Sequence, residues 1–343
     1  MGLYSRQIAE IANDDAIKYL AGKKIMLTGA SGMVGKAFID VIMEYNKHCS
    51  VAIEVLAVCR DADRANERFT QYIDSPYLHI IAMDINEGIT YDEHVDIIIH
   101  AASNTHPIQY STDPVGTIAT NVIGTKNLLD YAIACNVPRF CFISSVEIYG
   151  ENTLGTGAFA ENDLGYIDCN TVRAGYPESK RIGETLCNAY AAKYGIEFNI
   201  VRLSRCYGPT MLTSDSKAIA QFIKKAVNGE DIVLKSEGNQ LYSYTYVTDA
   251  VSAIMTVMSS GIPGRAYNVA DKLSDITLKE LAGLLADIGA SKVVYELPDE
   301  TEKKGYSAAT IATLDASELE KLGWCAKIHM SEGLLDVVDT LRG

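Results

Sequence analysis

Short, continuously apolar runs alternate with longer amphipathic stretches through the N-terminal part of the chain. Continuous apolar runs are typical of strands that are buried on both faces of a parallel sheet. The runs that predict such strands are Lys24–Leu27, Ile53–Val58, Leu78–Met83, Val95–His100, Arg139–Ser144 and Phe198–Leu203. The stretches that predict helices are Ser5–Leu20, Lys36–Tyr45, Asp113–Cys135 and Ala174–Tyr194. Strands that alternate with helices in this way predict an α/β fold with a doubly wound parallel sheet.

The pattern changes from about Gly208 onwards, where short strands and helices alternate less regularly. We therefore predict two units. Residues 1–207 form the large sheet with its leading helix, and residues 208–343 form a smaller C-terminal α/β lobe from which the chain partly returns to the first unit. Late helices are predicted over Thr277–Ile288 and Ser331–Leu341, and the charged stretch from 296 to 304 is predicted to be a solvated loop.

A glycine-rich motif, Thr28-Gly-Ala-Ser-Gly-Met-Val-Gly35, lies between the first predicted strand and the helix after it. In this context it indicates a Rossmann-type dinucleotide site. Its first glycine permits a tight turn, its second lets the backbone approach a pyrophosphate, and its third lets the helix pack on the strand. The helix N-terminus adds free N–H groups and a positive dipole end. The residues predicted to bind the cofactor here are Gly29, Ser31, Gly32, Met33, Val34 and Gly35.

The end of the second predicted strand leaves the choice of nicotinamide cofactor open. An acidic residue there usually accepts hydrogen bonds from the adenosine ribose, whereas this chain has Cys59, Arg60 and Asp61. Arg60, with Arg64, can meet a 2′-phosphate and favours NADP, while Asp61 can still serve NAD. We predict NAD, with NADP as the alternative.

Residues after the third and fourth predicted strands are also expected to line the cofactor. Asp84 is placed to contact the adenine amino group, and Ile85 lies beside it in the sequence. Ala101, Ala102 and Ser103 come after the fourth strand, and their small side chains let the backbone lie along the cofactor.

Tyr176 and Lys180 are the pair with the clearest chemistry. Their i, i+4 spacing puts both side chains on one face of a predicted helix. A lysine ammonium beside a phenol favours phenolate and lowers the phenol pKa, so Tyr176 can act as a proton shuttle near neutral pH. Lys180 can also hold the nicotinamide ribose. Ser145, at the end of the Arg139–Ser144 strand, can donate a hydrogen bond to a substrate oxygen beside Tyr176.

Taken together, these motifs resemble the extended short-chain dehydrogenase/reductase family, in its NAD-dependent nucleotide-sugar epimerase/dehydratase branch. The matching stretches are Thr28–Gly35, His100–Ala102, Asn121 in Thr-Asn-Val-Ile-Gly-Thr, Ser144–Ser145 with Tyr149–Gly150, Tyr176–Lys180, Arg202 with Tyr207–Pro209, and Tyr244–Asp249. The resemblance implies that Asn121 belongs to the cofactor site. It also implies that Tyr176 removes a proton from a sugar hydroxyl while hydride passes to the nicotinamide, with Ser145 steadying the oxygen and Lys180 tuning Tyr176. The product of that step is a 4-keto sugar.

Glu147 bears on the fate of the 4-keto sugar. The resemblance implies a base or orienting carboxylate at this position, as in dehydratases and decarboxylases of the family, whereas epimerases more often have a small or hydroxyl residue. Many dehydratases have an aspartic acid just before it, where this chain has Val146, which cannot protonate a leaving hydroxyl. We therefore expect dehydratase- or decarboxylase-like chemistry, with a 4-epimerase as the alternative. A reductase that releases its cofactor and a catalytically silent dinucleotide-sensing protein are the competing classes.

Two positions depart from the family pattern and bear on the substrate. Arg205 stands where the family often has asparagine, and Tyr242 stands where it often has an arginine that grips the substrate diphosphate. Because guanidinium forks match phosphate oxygens, Arg205 is a candidate to replace that arginine. Arg205 and Tyr242 are the predicted substrate-binding residues.

Composition narrows the partners. The formal net charge of −14 argues against binding to nucleic acid or to an anionic membrane. The N-terminus lacks the pattern of a signal peptide, the 8 cysteines are scattered singly, and the 6 histidines form no metal-binding pattern. We therefore expect a cytoplasmic protein with reduced, buried thiols and no metal. The resemblance implies a homodimer built on the helices Asp113–Cys135 and Ala174–Tyr194, whose apolar stripes are Ile118, Val122, Leu128, Leu129, Ile182 and Leu186.

Overall fold

The computed structural model describes residues 2–105, 112–153, 155, 157–296 and 310–343, so most of the predicted 296–304 loop lies outside the described residues. Its centre is a parallel sheet of seven strands. Their bounds are β1 Lys24–Thr28, β2 Glu54–Cys59, β3 Leu78–Ala82, β4 Ile97–His100, β5 Arg139–Ser145, β6 Glu197–Leu203 and β10 Ala266–Val269. Their order across the sheet is β10-β6-β5-β4-β1-β2-β3. The predicted α/β fold with a doubly wound parallel sheet is confirmed.

Alternate side chains of these strands enter two separate cores, because successive residues of a strand point to opposite faces. Ile25 and Leu27 of β1 lie in one core, and Met26 lies in the other. Helices cover both faces, which explains why the strands are apolar throughout rather than alternating.

Helices connect the strands, and those that were predicted and are continuous in the structure begin and end within a few residues of their predicted positions. Their bounds are α1 Leu3–Ala12, α2 Asp15–Lys18, α3 Met33–His48, α4 Ala62–Arg68, α5 Pro114–Ala119, α6 Thr125–Ala134, α7 Gly175–Tyr194, α8 Ala218–Asn228, α9 Val247–Ser260, α10 Leu278–Gly289, α11 Ser317–Glu320 and α12 Met330–Arg342. None of the helices in the described ranges combines the length and the apolarity needed to cross a membrane.

Two predicted helices are each divided. The leading helix is broken after Ala12 because the Asp14 side chain accepts a 2.9 Å hydrogen bond from the backbone N–H of Ala16 and so starts α2. The stretch 113–135 contains a π-helical turn, Thr120–Gly124, between α5 and α6. Such turns are frequent at functional sites, and this one carries Asn121.

A second, smaller sheet is mixed and consists of β7 Arg205–Tyr207, β9 Leu241–Tyr246, β11 Asp275–Thr277 and β13 Ile311–Ala312. Its order is β11-β9-β13, with β7 also paired to β9. A separate pair consists of β8 Ile232–Leu234 and β12 Val293–Tyr295. The late segment β10 pairs with β6 in the large sheet. This arrangement places β7 and β9 next to the carboxyl end of β5, where ligands bind in open α/β sheets.

Candidate active site

The glycine motif forms a tight turn between β1 and α3. Gly29 has a φ of +69°, and a Cβ atom on it would lie 2.7 Å from the carbonyl group of Ala101. A Cβ atom on Gly35 would lie 2.5 Å from the carbonyl oxygen of Gly29. The turn therefore lies directly against the end of β4, and α3 packs directly on the turn.

The residues around this turn fit a dinucleotide. Ser31, Gly32, Met33 and Val34 are half-buried, so the turn is accessible from one side. The helix that starts at Met33 has 16 residues, and its first N–H groups have no partner within the helix. A pyrophosphate at this point would receive those N–H groups and the positive end of the helix dipole.

The predicted adenosine end of the site lies at the ends of β2 and β3. Arg60 and Arg64 are exposed, and Asp61 caps α4 by accepting a 3.0 Å hydrogen bond from the backbone N–H of Arg64. Asp84 accepts a 2.9 Å hydrogen bond from the backbone N–H of Asn86. Ile85, by contrast, is buried and packs against the π-helical turn at Gly124. The cofactor roles of these residues remain predictions.

The loop after β4 is joined to its neighbours by a buried histidine. His100 Nδ1 lies 2.8 Å from Thr28 Oγ1, and His100 Nε2 lies 3.0 Å from Thr125 Oγ1. Burial lowers the pKa of His100 well below its usual value, and nearby Lys180 lowers it further. The neutral ring therefore holds β1, β4 and α6 together, while the backbone N–H of Ala102 donates to Thr28 Oγ1 at 3.2 Å.

Asn121 connects this loop to the helix that carries Tyr176. Its side chain is fully buried. Ser103 Oγ donates a 2.8 Å hydrogen bond to Asn121 Oδ1, and Asn121 Nδ2 donates a 2.9 Å hydrogen bond to Ser179 Oγ. Ser179 in turn donates to the backbone carbonyl of Tyr176 at 2.8 Å. The structure therefore places Asn121 under α7, with its amide group bonded to protein.

Ser145, Tyr176 and Lys180 come together at the carboxyl end of β5. Tyr176 is buried, and its phenol is hydrogen-bonded by the hydroxyls of Ser145 and Ser103. Lys180 is 2% exposed and donates a 2.8 Å hydrogen bond to the carbonyl of Ile143. Ser145 Oγ also accepts a 3.3 Å hydrogen bond from the backbone N–H of Glu147.

The expected lowering of the Tyr176 pKa by Lys180 is wrong for the structure as it stands. Burial raises the pKa of Tyr176 to about 12, although its hydrogen bonds with Ser145 and Ser103 act in the opposite direction. Burial also lowers the pKa of Lys180 to about 7. Lys180 is therefore only partly charged at neutral pH, which limits its influence on the phenol.

Glu147 lies between two arginines. Arg173 Nη2 donates a 2.6 Å hydrogen bond to Glu147 Oε2, and Arg205 Nη2 lies 3.4 Å from Glu147 Oε1. Burial raises the pKa of the Glu147 carboxyl, but its attraction to Arg173 and Arg205 is stronger overall, so the pKa lies below its usual value. The group is a carboxylate at neutral pH, and with its two arginines it carries an excess positive charge.

The two residues that depart from the family pattern are in direct contact. The guanidinium carbon of Arg205 lies 3.5 Å from the centre of the Tyr242 ring. This is a close cation–π contact, and it holds the arginine beside Glu147.

A comparison with protein families matches residues 25–270 to the model described as "NAD dependent epimerase/dehydratase family". The matched residues include the glycine turn, Ser145, Tyr176 and Lys180. The chain belongs to this family. Two predictions are therefore confirmed at the level of the family: the resemblance that the motifs carry, and an enzyme of the NAD-dependent epimerase/dehydratase class.

Curated relatives of this family member include two proteins from Arabidopsis thaliana. UDP-glucuronic acid decarboxylase 6 is 30% identical over 320 residues, which span 92% of this chain and 88% of the relative. UDP-glucuronic acid decarboxylase 3 is 31% identical over 315 residues, which span 91% of this chain and 86% of the relative.

Solved structures agree on the fold of the family member. The dTDP-glucose 4,6-dehydratase DesIV from Streptomyces venezuelae, with NAD and TYD bound, has a TM-score of 0.80 and 24% identity over 93% of this chain and 97% of its own. The UDP-glucuronic acid 4-epimerase from Bacillus cereus, in complex with UDP-glucuronic acid and NAD, has a TM-score of 0.78 and 20% identity over 93% of this chain and 99% of its own.

Arg173 belongs to this site and was not predicted from the sequence. It lies three positions before Tyr176, in the 3₁₀ turn Val172–Ala174 that leads into α7. A basic residue at i−3 from a helical tyrosine lies on the same face as that tyrosine. The spacing of Arg173 and Tyr176 is visible in the sequence. It indicates a role at the site only once the structure shows that Arg173 lies beside Glu147.

Proposed function

We propose that this protein is an NAD-dependent decarboxylase of a nucleoside diphosphate uronic acid, with UDP-glucuronic acid as the first substrate to test. The observation that carries the proposal is the ionised Glu147 between Arg173 and Arg205. A buried site with excess positive charge favours an anionic sugar. The names of the curated relatives point to the same reaction.

Residues of the chain fit NAD at the edge of the large sheet. The turn from Gly29 to Gly35 would hold the pyrophosphate at the start of α3, and Lys180 would hold the nicotinamide ribose. Bound NAD supplies a hydride acceptor for the sugar C4 position. Arg60 is exposed at the end of β2, so NADP is the alternative cofactor.

The first chemical task of the protein is to remove the proton from the sugar C4 hydroxyl. Tyr176 accepts this proton, and Ser145 donates a hydrogen bond to the same oxygen. The Ser145 oxygen accepts the N–H of Glu147, and its hydroxyl is also hydrogen-bonded with the Tyr176 phenol. Because a hydroxyl has a single proton, Ser145 would donate it to the C4 oxygen when the substrate binds, while the phenol takes up the substrate proton.

A ketone at C4 makes the substrate a β-keto acid, whose C5–C6 bond breaks with loss of carbon dioxide. The electron pair of that bond passes towards the ketone and C5 then takes up a proton. C4 would take back the hydride, so that the net change is loss of carbon dioxide and the bound cofactor is restored. This route needs no group to protonate a leaving hydroxyl. Dehydration does need one, and here Val146 is apolar while Glu147 is held as a carboxylate. The two residues therefore favour decarboxylation over 4,6-dehydration.

A 4-epimerase is the second candidate, since epimerisation uses only the hydroxyl chemistry of Ser145, Tyr176 and Lys180. The likeness to a UDP-glucuronic acid 4-epimerase favours it at the level of the fold. In an epimerase, the charge around Glu147 would serve to bind the substrate but would have no part in the reaction. We therefore rank the epimerase second.

Incubation of the NAD-loaded protein with UDP-glucuronic acid, UDP-glucose and dTDP-glucose, analysed by mass, tests the proposal. Loss of carbon dioxide from UDP-glucuronic acid alone is expected. An unchanged mass with a changed sugar would indicate the epimerase, and loss of water would indicate a dehydratase.

Tyr176→Phe is expected to abolish turnover while it retains cofactor. Consumption of free NADPH with a simple carbonyl compound would instead support the reductase, and no turnover with bound cofactor would support the silent sensor.

We also propose that two copies pair through α5 and α7. Five apolar side chains are exposed on or beside these helices: Val115, Ile118, Ile123, Val172 and Ile182. Of the predicted stripes, Leu128 and Leu129 belong to the core, whereas Ile118 and Ile182 remain at the surface. Light scattering should give the mass of a dimer, and Ile182→Glu should shift it towards the monomer.

The cytoplasm is the compartment we propose. All eight cysteines are free thiols, and Cys169 and Cys325 are exposed, which corrects the expectation that the thiols are buried throughout. Exposed free thiols persist in a reducing compartment.

A further inference from the structure

Arg205 and Tyr242 lie on neighbouring strands with their side chains on one face. In the parallel β7–β9 pair, Arg205 lies opposite Tyr244. Tyr242 is two residues from Tyr244 and so points to the same face of the sheet. The Arg205 side chain is 17% exposed, and its guanidinium is stacked on the Tyr242 ring. The ring therefore fixes the direction in which the guanidinium donates.

The guanidinium donors of Arg205 are not all used within the part of the chain that the structure describes. Its Nη2 makes a 3.4 Å contact with Glu147. Its Nη1 is buried and has no hydrogen-bond partner among the residues that the structure describes. A buried donor without an acceptor is costly, and such groups call for a partner. Of the two arginines, Arg173 makes the shorter contact with Glu147, 2.6 Å against 3.4 Å for Arg205.

The charges point to an anion as that partner. Two arginines face one carboxylate in this largely buried cluster. A second carboxylate would bring the cluster to neutrality, and buried charges are tolerated best when they are paired. The missing component therefore carries one negative charge close to Arg205.

Position decides which anion of the substrate this is. Ser145 hydrogen-bonds both the Tyr176 phenol and the backbone N–H of Glu147, so the Glu147 cluster lies beside the groups that act on the C4 oxygen. In a hexuronic acid the carboxylate is attached at C5, next to C4. The diphosphate is attached at C1, on the far side of the ring. Arg205 is thus on the carboxylate side, which differs from its expected role as a diphosphate ligand.

We propose that Arg205, held by its stack on Tyr242, binds the sugar carboxylate of a nucleoside diphosphate uronic acid and so selects acidic over neutral sugars. Arg173 keeps Glu147 in place, and Arg205 receives the substrate. The assignment rests on the proposed function, because it assumes that C4 of the sugar lies at Tyr176.

Binding by calorimetry to the NAD-loaded Tyr176→Phe protein tests the assignment without turnover. The ligands are UDP-glucuronic acid, UDP-glucose and UDP. Arg205→Gln is expected to weaken UDP-glucuronic acid by about ten- to a hundredfold, the usual range for a lost hydrogen bond to a charged group. Its effect on UDP-glucose and UDP should stay within about twofold. Tyr242→Ala should weaken UDP-glucuronic acid selectively but less, because the arginine remains and only its orientation is lost.

Equal losses for all three ligands would place Arg205 on the diphosphate and overturn the assignment, and so would unchanged affinity for UDP-glucuronic acid. Arg265→Gln, at a side chain that is 57% exposed, is the matched control and should change nothing. Thermal unfolding and cofactor content identify variants that fail to fold. If Arg205→Gln is one of them, the selective loss of UDP-glucuronic acid affinity in Tyr242→Ala tests the assignment. The assay of wild-type turnover by mass is separate, so failure of the proposed function is seen independently of these affinities.

Discussion

Arg173 donates a 2.6 Å hydrogen bond to Glu147, and the two side chains are 15% and 19% exposed. Burial of Glu147 raises the pKa of its carboxyl, yet the arginines hold that pKa below the usual 4.5. Because the folded-state pKa is depressed, the stability that this ionisation contributes is fully present above about pH 4.5. It is lost as the pH falls through the lower folded value.

Arg173→Gln is expected to lower the free energy of unfolding by about 3 kcal/mol at pH 7, because within the described structure it leaves a largely buried carboxylate with the longer contact to Arg205 alone. The acid limb of the pH–rate profile should move to higher pH as the pKa of Glu147 rises. Urea unfolding and steady-state rates from pH 4 to 8 measure the two effects. Arg265→Gln, which breaks an exposed 3.8 Å pair with Glu318, should cost less than about 0.5 kcal/mol. Equal costs for the two variants would contradict the role given to Arg173.

Lys180 is expected to destabilise the fold at low pH. Burial lowers its pKa from 10.5 to about 7, so below pH 7 the folded protein must hold a buried ammonium. That cost is relieved as the pH rises from about 7 towards 10.5, where the unfolded chain keeps a proton that the folded one has lost. Lys180→Met should therefore gain stability relative to the wild type as the pH is lowered from 9 to 6, while turnover is abolished.

Urea unfolding of both proteins at pH 6 and pH 9 measures this difference. Lys126→Met, at a side chain that is 56% exposed, controls for the loss of a surface charge and should show no such pH dependence. A difference in stability that is independent of pH would show that Lys180 keeps an ordinary pKa in the folded protein.

The large sheet was predictable because its strands leave an unambiguous pattern. Residues such as Ile97–Ile99 are apolar at consecutive positions, and only a strand covered on both faces needs that. β10, Ala266–Val269, contains Tyr267 and Asn268 and gives no such run. Its place beside β6 depends on long-range pairing that local pattern does not encode. The π-helical turn at Asn121 was not predicted, for a similar reason. It involves a hydrogen bond from Thr125 Oγ1 to the Asn121 carbonyl and packing of Gly124 against Ile85.

The part of the site that sequence motifs specify was predictable. Spacing along α7 placed Tyr176 and Lys180 together, and the strand end placed Ser145 near them. The pKa values of these groups were not predictable, because they depend on burial. The contact of Arg205 with Tyr242 brings together two residues whose separate departures from the family pattern are visible in the sequence. The sequence does not show that the two residues touch, because their contact depends on the β7–β9 pairing.

Asn121→Ala tests whether this residue supports Tyr176 or binds the cofactor. The change removes hydrogen bonds to Ser103 and Ser179 inside a fully buried region, so we expect a loss of about 1–3 kcal/mol in stability. Turnover should fall at least about tenfold, because the support of α7 at Tyr176 is lost. Cofactor content, measured after gel filtration, should stay near that of the wild type. Asn127→Ala removes hydrogen bonds to the carbonyls of Ile85 and Asn86 and controls for a general loss of stability. If Asn121→Ala instead loses its cofactor while turnover per bound NAD stays intact, Asn121 binds the cofactor.

Gly32→Ala separates cofactor binding from folding at the glycine turn. Gly32 has a φ of −71°, which alanine adopts readily, and among the described residues its added Cβ would meet the Gly29 carbonyl oxygen, at 3.1 Å. The fold should therefore survive while the methyl group obstructs the pyrophosphate, and NAD content should fall at least about tenfold, the equivalent of 1.4 kcal/mol. Gly29→Ala should lose both cofactor and stability, because its Cβ would lie 2.7 Å from the backbone of Ala101. Gly283→Ala, at a helical glycine with open space around its Cβ position, should retain both. A Gly32→Ala protein with its full complement of NAD would mean that the pyrophosphate does not approach this turn.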